Sequence, residues 1–305
     1  MRMLVVGAGS TGGYFGGRLA HAGRDVTFLV HAGRAKQLAE RGLQIVSPHG
    51  DVTLRPQLVS AEALSGPYDA ILLTVKAFSL DGALKDMVPA VGAKTMILPV
   101  LNGMRHVDVL ANRFGKQSVV GCACKIAASV DGDGRIVQAT LVHDIAYGEM
   151  NAEESQRIRA LDRFMRGAGF DARLSANIAQ EMWEKWILLA AIGGINCLMR
   201  GTIGEVSQAP KGPAFARAVL EEIVAVVRTV GVPPSDTFLT AAASALTTKD
   251  PTTSSMYRDL QRGVRIEADQ IIGDLVERAH AAAVKTPLLG LIYTHLSVYQ
   301  HRLAV

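Results

Sequence analysis

The 305-residue sequence predicts an α/β protein in which a doubly wound parallel sheet is followed by a C-terminal all-helical domain. Apolar strand-like runs alternate with helical stretches through the first half, as in a parallel sheet covered by helices on both faces. A glycine-rich turn joins the first strand to the first helix, and strand patterns stop near residue 175. We therefore expect a first domain over residues 1–174 and a second over residues 175–305.

The glycine-rich turn predicts a dinucleotide site. Residues 3–6 lead directly into the spacing G-x-G-x-x-G, and a second strand over residues 25–30 follows one helix length later. Gly7 permits the tight turn, Gly9 lets the backbone approach a diphosphate, and Gly12 allows the helix to pack closely on the strand. Free N–H groups at the helix N-terminus favour the anion; a glycine turn without function is the alternative. The sequence thus predicts a Rossmann-type domain with cofactor contacts from Gly7, Gly9, Ser10, Thr11 and Gly12.

The segment after the second strand predicts which dinucleotide binds. NAD sites usually place Asp or Glu about 20 residues after the turn, where it binds the ribose hydroxyls. Residues 30–36 contain no acid and three potential cations, His31, Arg34 and Lys36. Because cationic side chains bind phosphate oxygens strongly, we expect NADPH/NADP+ as the cofactor, with contacts from His31 and Arg34. A solvated basic loop is the alternative.

The remainder of the first half contains further strand and helix patterns. Apolar runs over residues 69–75 and 95–100 complete the predicted parallel sheet. Residues 131–134 have the composition of a hairpin turn. Other strands are expected at residues 43–46, 52–54, 119–130, 135–147 and 170–174, with a helix at residues 153–166.

Beyond residue 175 the sequence has only helical patterns, separated by segments rich in Pro and Gly. Ligands of open α/β sheets bind beyond the carboxyl ends of the strands, so we expect the substrate in the cleft between the two domains. The helices are expected at residues 178–199, 214–230, 236–246, 255–283 and 288–302.

Composition narrows the range of partners. The net charge of +4 suits an anionic cofactor and substrate but is too weak and dispersed to indicate nucleic acid. The longest uncharged apolar run, residues 186–199, is too short to span a bilayer, and we expect no signal peptide before the first strand. Cys122, Cys124 and Cys197 form no C-x-x-C pair and have no accompanying histidine cluster, so we expect reduced thiols, no metal and a cytoplasmic location. Apolar C-terminal helices are compatible with a homodimer.

Lys185 is a charged residue on an apolar helical face. It follows Ile178 and Met182 and precedes Leu189 at helical spacing. A lysine on such a face lies in the core or in a cleft, where its ammonium group can donate a proton. A lysine that extends its charge outward at the helix edge is the alternative.

Glu267 has the same character in the next predicted helix. It shares one face with Leu260 and Ile271, so its carboxylate is expected in a cleft or beside a buried partner. An ion pair with Arg262 or Arg265 is the alternative interpretation.

Three further polar positions lie where ligands bind in α/β proteins. Lys76 and Asn102 follow two strands of the predicted sheet, at the carboxyl ends that face a cofactor. Ser255 lies with two other hydroxyl residues at the start of a helix, a site for ordinary capping or for a bound carboxylate. A solvated lysine and a simple Asn-Gly turn are the alternatives.

Together these residues resemble the ketopantoate reductase family, also called 2-dehydropantoate 2-reductases. The resemblance covers the whole chain and keeps the family's order. It implies an NADPH-dependent reduction of a 2-oxo acid to a 2-hydroxy acid, namely 2-dehydropantoate to pantoate in pantothenate biosynthesis. The matching motifs are Gly7-x-Gly9-x-x-Gly12, Thr74-Val75-Lys76-Ala77, Leu101-Asn102-Gly103-Met104, Trp183-x-Lys185 and Ser254-Ser255-Met256-x-x-Asp259 followed by Glu267.

The resemblance also implies a role for each candidate residue. Lys185 would be the general acid near the carbonyl oxygen, and Glu267 would orient the substrate hydroxyl and the lysine. Asn102 and Ser255 would contact the substrate, and Lys76 would contact the cofactor region.

The sequence departs from the family pattern in two places. The family usually carries asparagines one and two turns after the lysine, where they help to bind ketopantoate, but this chain has Leu189 and Gly193 there and Asn196 about a turn out of place. His31 occupies the position of the family's arginine, and Arg34 follows three residues later. These departures leave two alternatives open: a paralogous reductase of a more apolar 2-oxo acid, or a cofactor-binding regulatory protein without turnover.

Overall fold

The computed structural model describes residues 1–303, which divide into two units. The N-terminal unit comprises Met1–Leu101 and His106–Ala179, and the helical unit comprises Asn102–Arg105 and the chain from Gln180 onward. The first unit thus extends past the expected boundary at residue 174. The reason is local packing, because a Cβ atom added at Gly121 would lie 2.6 Å from the Ile178 side chain, which packs on this unit.

A parallel sheet forms the centre of the N-terminal unit. The strands of the described chain are β1 (Arg2–Val6), β2 (Asp25–Leu29), β3 (Leu43–Val46), β4 (Val52–Leu54), β5 (Gln57–Val59), β6 (Ala70–Leu73), β7 (Met96–Pro99), β8 (Val120–Val130), β9 (Ile136–Glu149) and β10 (Asp171–Leu174). Five of them pair in the order β5-β2-β1-β6-β7, and every pairing in this sheet is parallel. Met3 and Val5 pack into one apolar cluster, whereas Leu4 and Val6 pack into another on the opposite face. This arrangement confirms the predicted fold class.

The remaining strands of this unit form a second, mixed sheet. Its order is β10-β9-β3-β4, and β8 pairs with β9 as the expected antiparallel hairpin. Parallel pairing of Ile45 with Ile136 joins β3 to β9. At the hairpin tip, the Asp131 carboxylate accepts hydrogen bonds from the backbone N–H groups of Asp133 and Arg135, at 3.0 and 2.9 Å. The sequence predicted the two short segments and the hairpin, but neither their union in one sheet nor strand β5.

The helices agree with most of the predicted ranges. No helix of the described residues combines the length and apolar character that a membrane crossing requires. Short 3-10 turns lie at Ala77–Ser79, Val88–Ala90 and Lys116–Ser118. The α-helices are α1 (Ser10–His21), α2 (Ala32–Arg41), α3 (Leu80–Asp86), α4 (Arg105–Phe114), α5 (Gln156–Met165), α6 (Ile178–Met199), α7 (Ile203–Gln208), α8 (Gly212–Val230), α9 (Asp236–Ala245), α10 (Ser255–Gln261), α11 (Asp274–Ala281) and α12 (Pro287–Leu303).

The expected continuous helix over residues 255–283 is wrong. Helix α10 ends at Gln261, the backbone turns at Gly263 with φ +68°, and a π-helix over Asp269–Gly273 leads into α11. Val264, which fits the apolar spacing of a single helix, is 46% exposed. Helix α7 was not predicted from the sequence. It begins with a capping box in which Thr202 and Glu205 satisfy each other's backbone N–H groups.

Two histidines stack in the N-terminal unit. The rings of His49 and His143 lie 3.7 Å apart with an interplanar angle of 15°. His143 is buried, and its Nδ1 lies 2.7 Å from the Tyr14 hydroxyl. Burial lowers the pKa of His143, and the charges of His49 and Arg18 lower it further, whereas Asp171 opposes the shift.

We predict that the lowered pKa of His143 makes the fold less stable in mild acid. Because the folded-state pKa of His143 lies below the ordinary value of about 6.5, its contribution to stability is complete above that value and is lost as the pH falls from there through the lowered pKa. The free energy of unfolding, measured with urea, should fall between about pH 8 and pH 5, and His143→Gln should reduce this fall. His301→Gln, at an exposed histidine, should keep the parent slope, and an unchanged slope in His143→Gln would contradict the prediction.

Candidate active site

The glycine-rich turn has two constrained glycines, Gly7 and Gly12, and one open glycine, Gly9. Gly7 has φ +96°, a conformation that favours glycine, and the Thr74 Oγ1 atom lies 3.0 Å from Gly7 O and 2.9 Å from Val6 O, to which its hydroxyl donates. A Cβ atom at Gly12 would lie 2.1 Å from Thr74 Oγ1 and 2.2 Å from Gly7 O, so no larger residue fits there. At Gly9 an added Cβ would meet no atom within 4 Å, which leaves open space beside the turn.

The start of helix α1 supplies donors for an anion next to this open space. Gly9 is the N-cap residue, and the first helical bond runs from Gly13 N to Gly9 O at 2.8 Å. The preceding N–H groups, those of Ser10, Thr11 and Gly12, therefore have no partner within the helix. Because Gly9 has no side chain, a diphosphate can approach these N–H groups closely. The turn thus fits a dinucleotide.

The basic segment after β2 has two candidate side chains, His31 and Arg34, in different environments. His31 is exposed at the N-cap position of α2. Arg34 instead binds the protein itself: its Nε donates to Ala8 O at 3.0 Å and its Nη1 to Gly134 O at 2.9 Å, with a further bond to the Gln37 side chain. Burial lowers the pKa of Arg34. Arg34 therefore braces the glycine-rich turn, and only its Nη2 has no hydrogen-bond partner among the described residues.

Two predicted site residues follow the central strands along the chain. Lys76 lies three positions after β6, is exposed, and immediately precedes the 3-10 turn Ala77–Ser79. Asn102 follows β7 and is half-buried, but it belongs to the helical unit.

Lys185 lies on the least buried stripe of helix α6. Its neighbours Trp183 and Trp186 are 7% and 1% exposed, so most of the helix circumference is core. Lys185, Leu189 and Ile192 are half-buried at spacings of four and three residues, which places them along one side of the helix. The lysine is therefore neither in the core nor on a fully solvated face.

A short segment around the π-helix connects three predicted residues. Glu267, which is 8% exposed, precedes the π-helix, and its backbone carbonyl accepts from Ile271 N at 3.0 Å. The Ile271 carbonyl accepts from the indole of Trp186, adjacent to Lys185, at 2.9 Å. A Cβ atom at Gly103, which has φ +82° and follows Asn102, would lie 2.6 Å from Gln270 O. The turn of Asn102 and the helix of Lys185 therefore both contact the Gln270–Ile271 backbone, one turn after Glu267.

The serines at the start of α10, Ser254 and Ser255, belong to a segment that lies against a different part of α6. Ser254 caps α10, because its hydroxyl accepts from Tyr257 N at 3.0 Å, and Ser255 is exposed at the first helical position. A Cβ atom at Gly193 would lie 2.9 Å from Met256 Cε and 3.7 Å from Ser254 Oγ. Asn196 is fully buried and binds the same loop through its amide. The contacts of Thr74, Arg34, Trp186 and Asn196 were missed from the sequence, because each is a contact with backbone distant along the chain.

The chain combines a parallel sheet and a glycine-rich, phosphate-binding type of turn with a helical unit that carries a half-buried lysine and a buried glutamate. This combination is typical of Rossmann-type oxidoreductases. Residues 3–152 match the family described as ketopantoate reductase PanE/ApbA, and residues 177–300 match the C-terminal domain of the same family. The chain belongs to the ketopantoate reductase family. It is thus an oxidoreductase of the type that reduces 2-oxo acids to 2-hydroxy acids.

Individual relatives match over almost their full length. The chain is 36% identical to the uncharacterized oxidoreductase YkpB of Bacillus subtilis, over 98% of this chain and 99% of that protein. It is 26% identical to the 2-dehydropantoate 2-reductase of Mesorhizobium japonicum, over 96% and 95% of the two chains.

Solved structures share the fold. A PanE/ApbA family ketopantoate reductase from Ralstonia eutropha has a TM-score of 0.89 at 24% identity, with 100% of both chains covered. A D-mandelate dehydrogenase, solved with NADH and anilino(oxo)acetate, has a TM-score of 0.87 at 20% identity over 100% of both chains.

We predict opposite effects of alanine at two glycines of the turn. Gly12→Ala should destabilise the protein by about 2 kcal/mol or more, because the new Cβ overlaps Gly7 O, an atom of the backbone. Gly9→Ala should leave stability nearly unchanged, because its Cβ enters open space and Gly9 has φ −82°. The same Cβ should weaken dinucleotide binding by about tenfold or more, since it occupies the approach of the diphosphate.

Thermal unfolding and fluorescence titration with NADPH measure the two effects. Gly82→Ala, in helix α3 with no atom within 4 Å of the added Cβ, is the matched control for both. Full dinucleotide affinity in Gly9→Ala would contradict the assignment of the turn.

Proposed function

We propose that this chain uses NADPH to reduce a 2-oxo acid to the corresponding 2-hydroxy acid. The observation that carries the proposal is the convergence of the Asn102 turn and the Lys185 helix on the backbone that follows Glu267. This convergence supports the proposal, because a carbonyl reduction requires residue types such as these on adjoining elements. Family membership supports the same reaction class.

Lys185 acts as the general acid in this proposal. When bound, NADPH supplies the hydride for the carbonyl carbon of the acid. Lys185 Nζ donates a proton to the carbonyl oxygen, so the carbonyl group becomes a hydroxyl group and the lysine becomes neutral. Its positive charge also stabilises the oxygen as negative charge develops there. A half-buried position supports this role, because the ammonium group reaches a ligand while partly shielded from water.

The other residues bind and orient. Glu267 orients Lys185 and accepts a hydrogen bond from a substrate hydroxyl, and its burial holds the carboxylate in one place. Asn102 and Ser255 contact the substrate, and Lys76 contacts the cofactor region. The cofactor diphosphate is held by the residues of the turn, Gly7, Gly9, Ser10, Thr11 and Gly12.

Two candidates follow for the substrate. The first is 2-dehydropantoate, reduced to pantoate as in pantothenate biosynthesis. The Mesorhizobium relative is named a 2-dehydropantoate 2-reductase. The second is a more apolar 2-oxo acid. One observation favours it. The chain has Leu189 and Gly193 where the family has hydroxyl-binding amides, and Asn196, the only asparagine of α6, is fully buried with its amide bonded to backbone. These three positions therefore offer no amide to a substrate hydroxyl.

A cytoplasmic homodimer completes the proposal. Light scattering of the purified protein measures its mass against the 32.4 kDa chain.

A panel of 2-oxo acids, with NADPH oxidation as the readout, tests the function as a whole. Cofactor binding without turnover of any acid would instead identify a regulatory protein.

We predict that Lys185→Ala keeps its fold and its NADPH affinity but turns over at least about a hundredfold more slowly, the loss expected for a general acid. Steady-state kinetics on the best acid of the panel measures this loss. Lys85→Ala, at an exposed lysine of α3, is the control and should keep the parent rate. Retention of most of the rate in Lys185→Ala would assign proton donation to another group.

We predict that NADPH binds at least about tenfold more tightly than NADH, a difference of about 1.4 kcal/mol. His31→Ala should weaken NADPH alone, because His31 is exposed at the start of α2. Arg34→Ala should weaken both dinucleotides, because Arg34 also holds Ala8 O in the turn. Fluorescence titrations measure each dissociation constant, and equal affinity for the two cofactors in the parent would refute NADPH preference.

We predict weak discrimination between 2-dehydropantoate and 2-oxoisovalerate, a branched acid without the 4-hydroxyl. Without amides at positions 189 and 193, only Glu267 remains to bind that hydroxyl, so kcat/KM for the two acids should agree within about tenfold. A preference for 2-dehydropantoate above about a hundredfold would show that other residues bind the hydroxyl, and would favour the first candidate substrate.

A further inference from the structure

Asn196 joins helix α6 to the loop that precedes α10. Its side chain is fully buried, and its amide group bonds to backbone on both sides. The Nδ2 atom donates to Gly201 O at 2.8 Å and to Thr252 O at 3.3 Å, and the Oδ1 atom accepts from Ser254 N at 2.9 Å. Both N–H groups of the amide and one lone pair of its oxygen are therefore engaged within the protein, and the side chain is buried.

The bond to Ser254 fixes the start of α10. The earlier part of the loop has other attachments, because Ile203 N donates to Thr252 O and Gly204 N donates to Asp250 O, both at 3.0 Å. The Ser254 side chain caps α10 through Tyr257 N. The Asn196 amide thus links α6 to the residue that caps the helix on which Ser255 is the first position.

Gly193 and Asn196 together hold this loop against α6. They lie three residues apart on α6, a spacing that places both on the same face of the helix. The missing side chain at Gly193 leaves room for Met256 Cε and Ser254 Oγ, which an added Cβ would approach to 2.9 and 3.7 Å. One residue gives space and the other gives the hydrogen bond, so the loop is held close against α6.

We propose that Asn196 is a positioning residue for the 2-oxo acid: it holds Ser254 N–H and thereby fixes Ser255 at the site. The inference rests on the proposed function, in which Ser255 contacts the substrate. In this chain the amide of α6 acts on the protein loop rather than on the substrate. The residue is therefore expected to affect substrate binding without touching the substrate.

The test is a double-mutant cycle of Asn196→Ala and Ser255→Ala, measured by steady-state kinetics with the best 2-oxo acid. Each single variant should raise KM by about fivefold or more, with kcat within about threefold of the parent and NADPH affinity unchanged. The double variant should have the KM of the weaker-binding single variant, because both changes remove the same contact.

A matched control separates positioning from general stability. Glu222 also bonds to backbone in the helical unit, accepting from Leu288 N and Leu289 N at 3.0 Å, so Glu222→Gln should lower the free energy of unfolding without changing KM. If Asn196→Ala does not fold, Ser254→Pro and Ser254→Ala address the same bond, because only the proline removes the N–H. The proline variant should then have the higher KM.

Three results would overturn the proposal: an unchanged KM in either single variant, multiplicative effects in the double variant, or equal KM for Ser254→Pro and Ser254→Ala. Turnover by the parent enzyme distinguishes this failure from failure of the proposed function. A parent that reduces no 2-oxo acid would overturn both, whereas an active parent with any of the three results would overturn the role of Asn196 alone.

Discussion

The hydrogen bond from the Trp186 indole to the Ile271 carbonyl is the contact on which the arrangement of the candidate residues Lys185 and Glu267 depends. A π-helix pairs its backbone groups five residues apart instead of four, so it has a wider turn than an α-helix. Trp186 donates to this π-helix at 2.9 Å from a side chain that is 1% exposed. Loss of this donor would remove a buried hydrogen bond between α6 and the π-helix, at a cost of about 0.5–1.5 kcal/mol. The same contact holds the neighbour of Lys185 against the segment that follows Glu267.

The π-helix also explains why glycine follows Asn102. The Gly103 backbone approaches Gln270 O so closely that any Cβ would overlap it, and its φ of +82° excludes most other residues. An Asn-Gly pair that looks like an ordinary turn in the sequence is therefore a contact point of the helical unit. The Gln270–Ile271 segment contacts Gly103 and Trp186, so its backbone has little conformational freedom.

The sequence predicted regular elements well and long-range contacts poorly. Strand β3 and helix α6 agree with the expected ranges, because apolar periodicity directly reflects the burial of a regular element. The same periodicity failed for the residues beyond 261, where Val264 fits the spacing but is exposed and Gly263 turns the backbone. Lys185 and Glu267 stood out as charges among apolar positions. Arg34 and Asn196 did not reveal their roles, because their partners are backbone atoms that a sequence pattern does not identify.

The tip of the β8–β9 hairpin is part of the glycine-rich turn in an energetic sense. Arg34 bonds to Ala8 O and to Gly134 O, and Gln37 bonds to Asp133 O at 3.3 Å. Opening of the hairpin tip would remove the Gly134 partner of Arg34, so we expect the hairpin tip and the turn to be coupled in stability. Any ligand that binds the folded turn is therefore expected to stabilise the hairpin tip as well, through the Arg34 bonds.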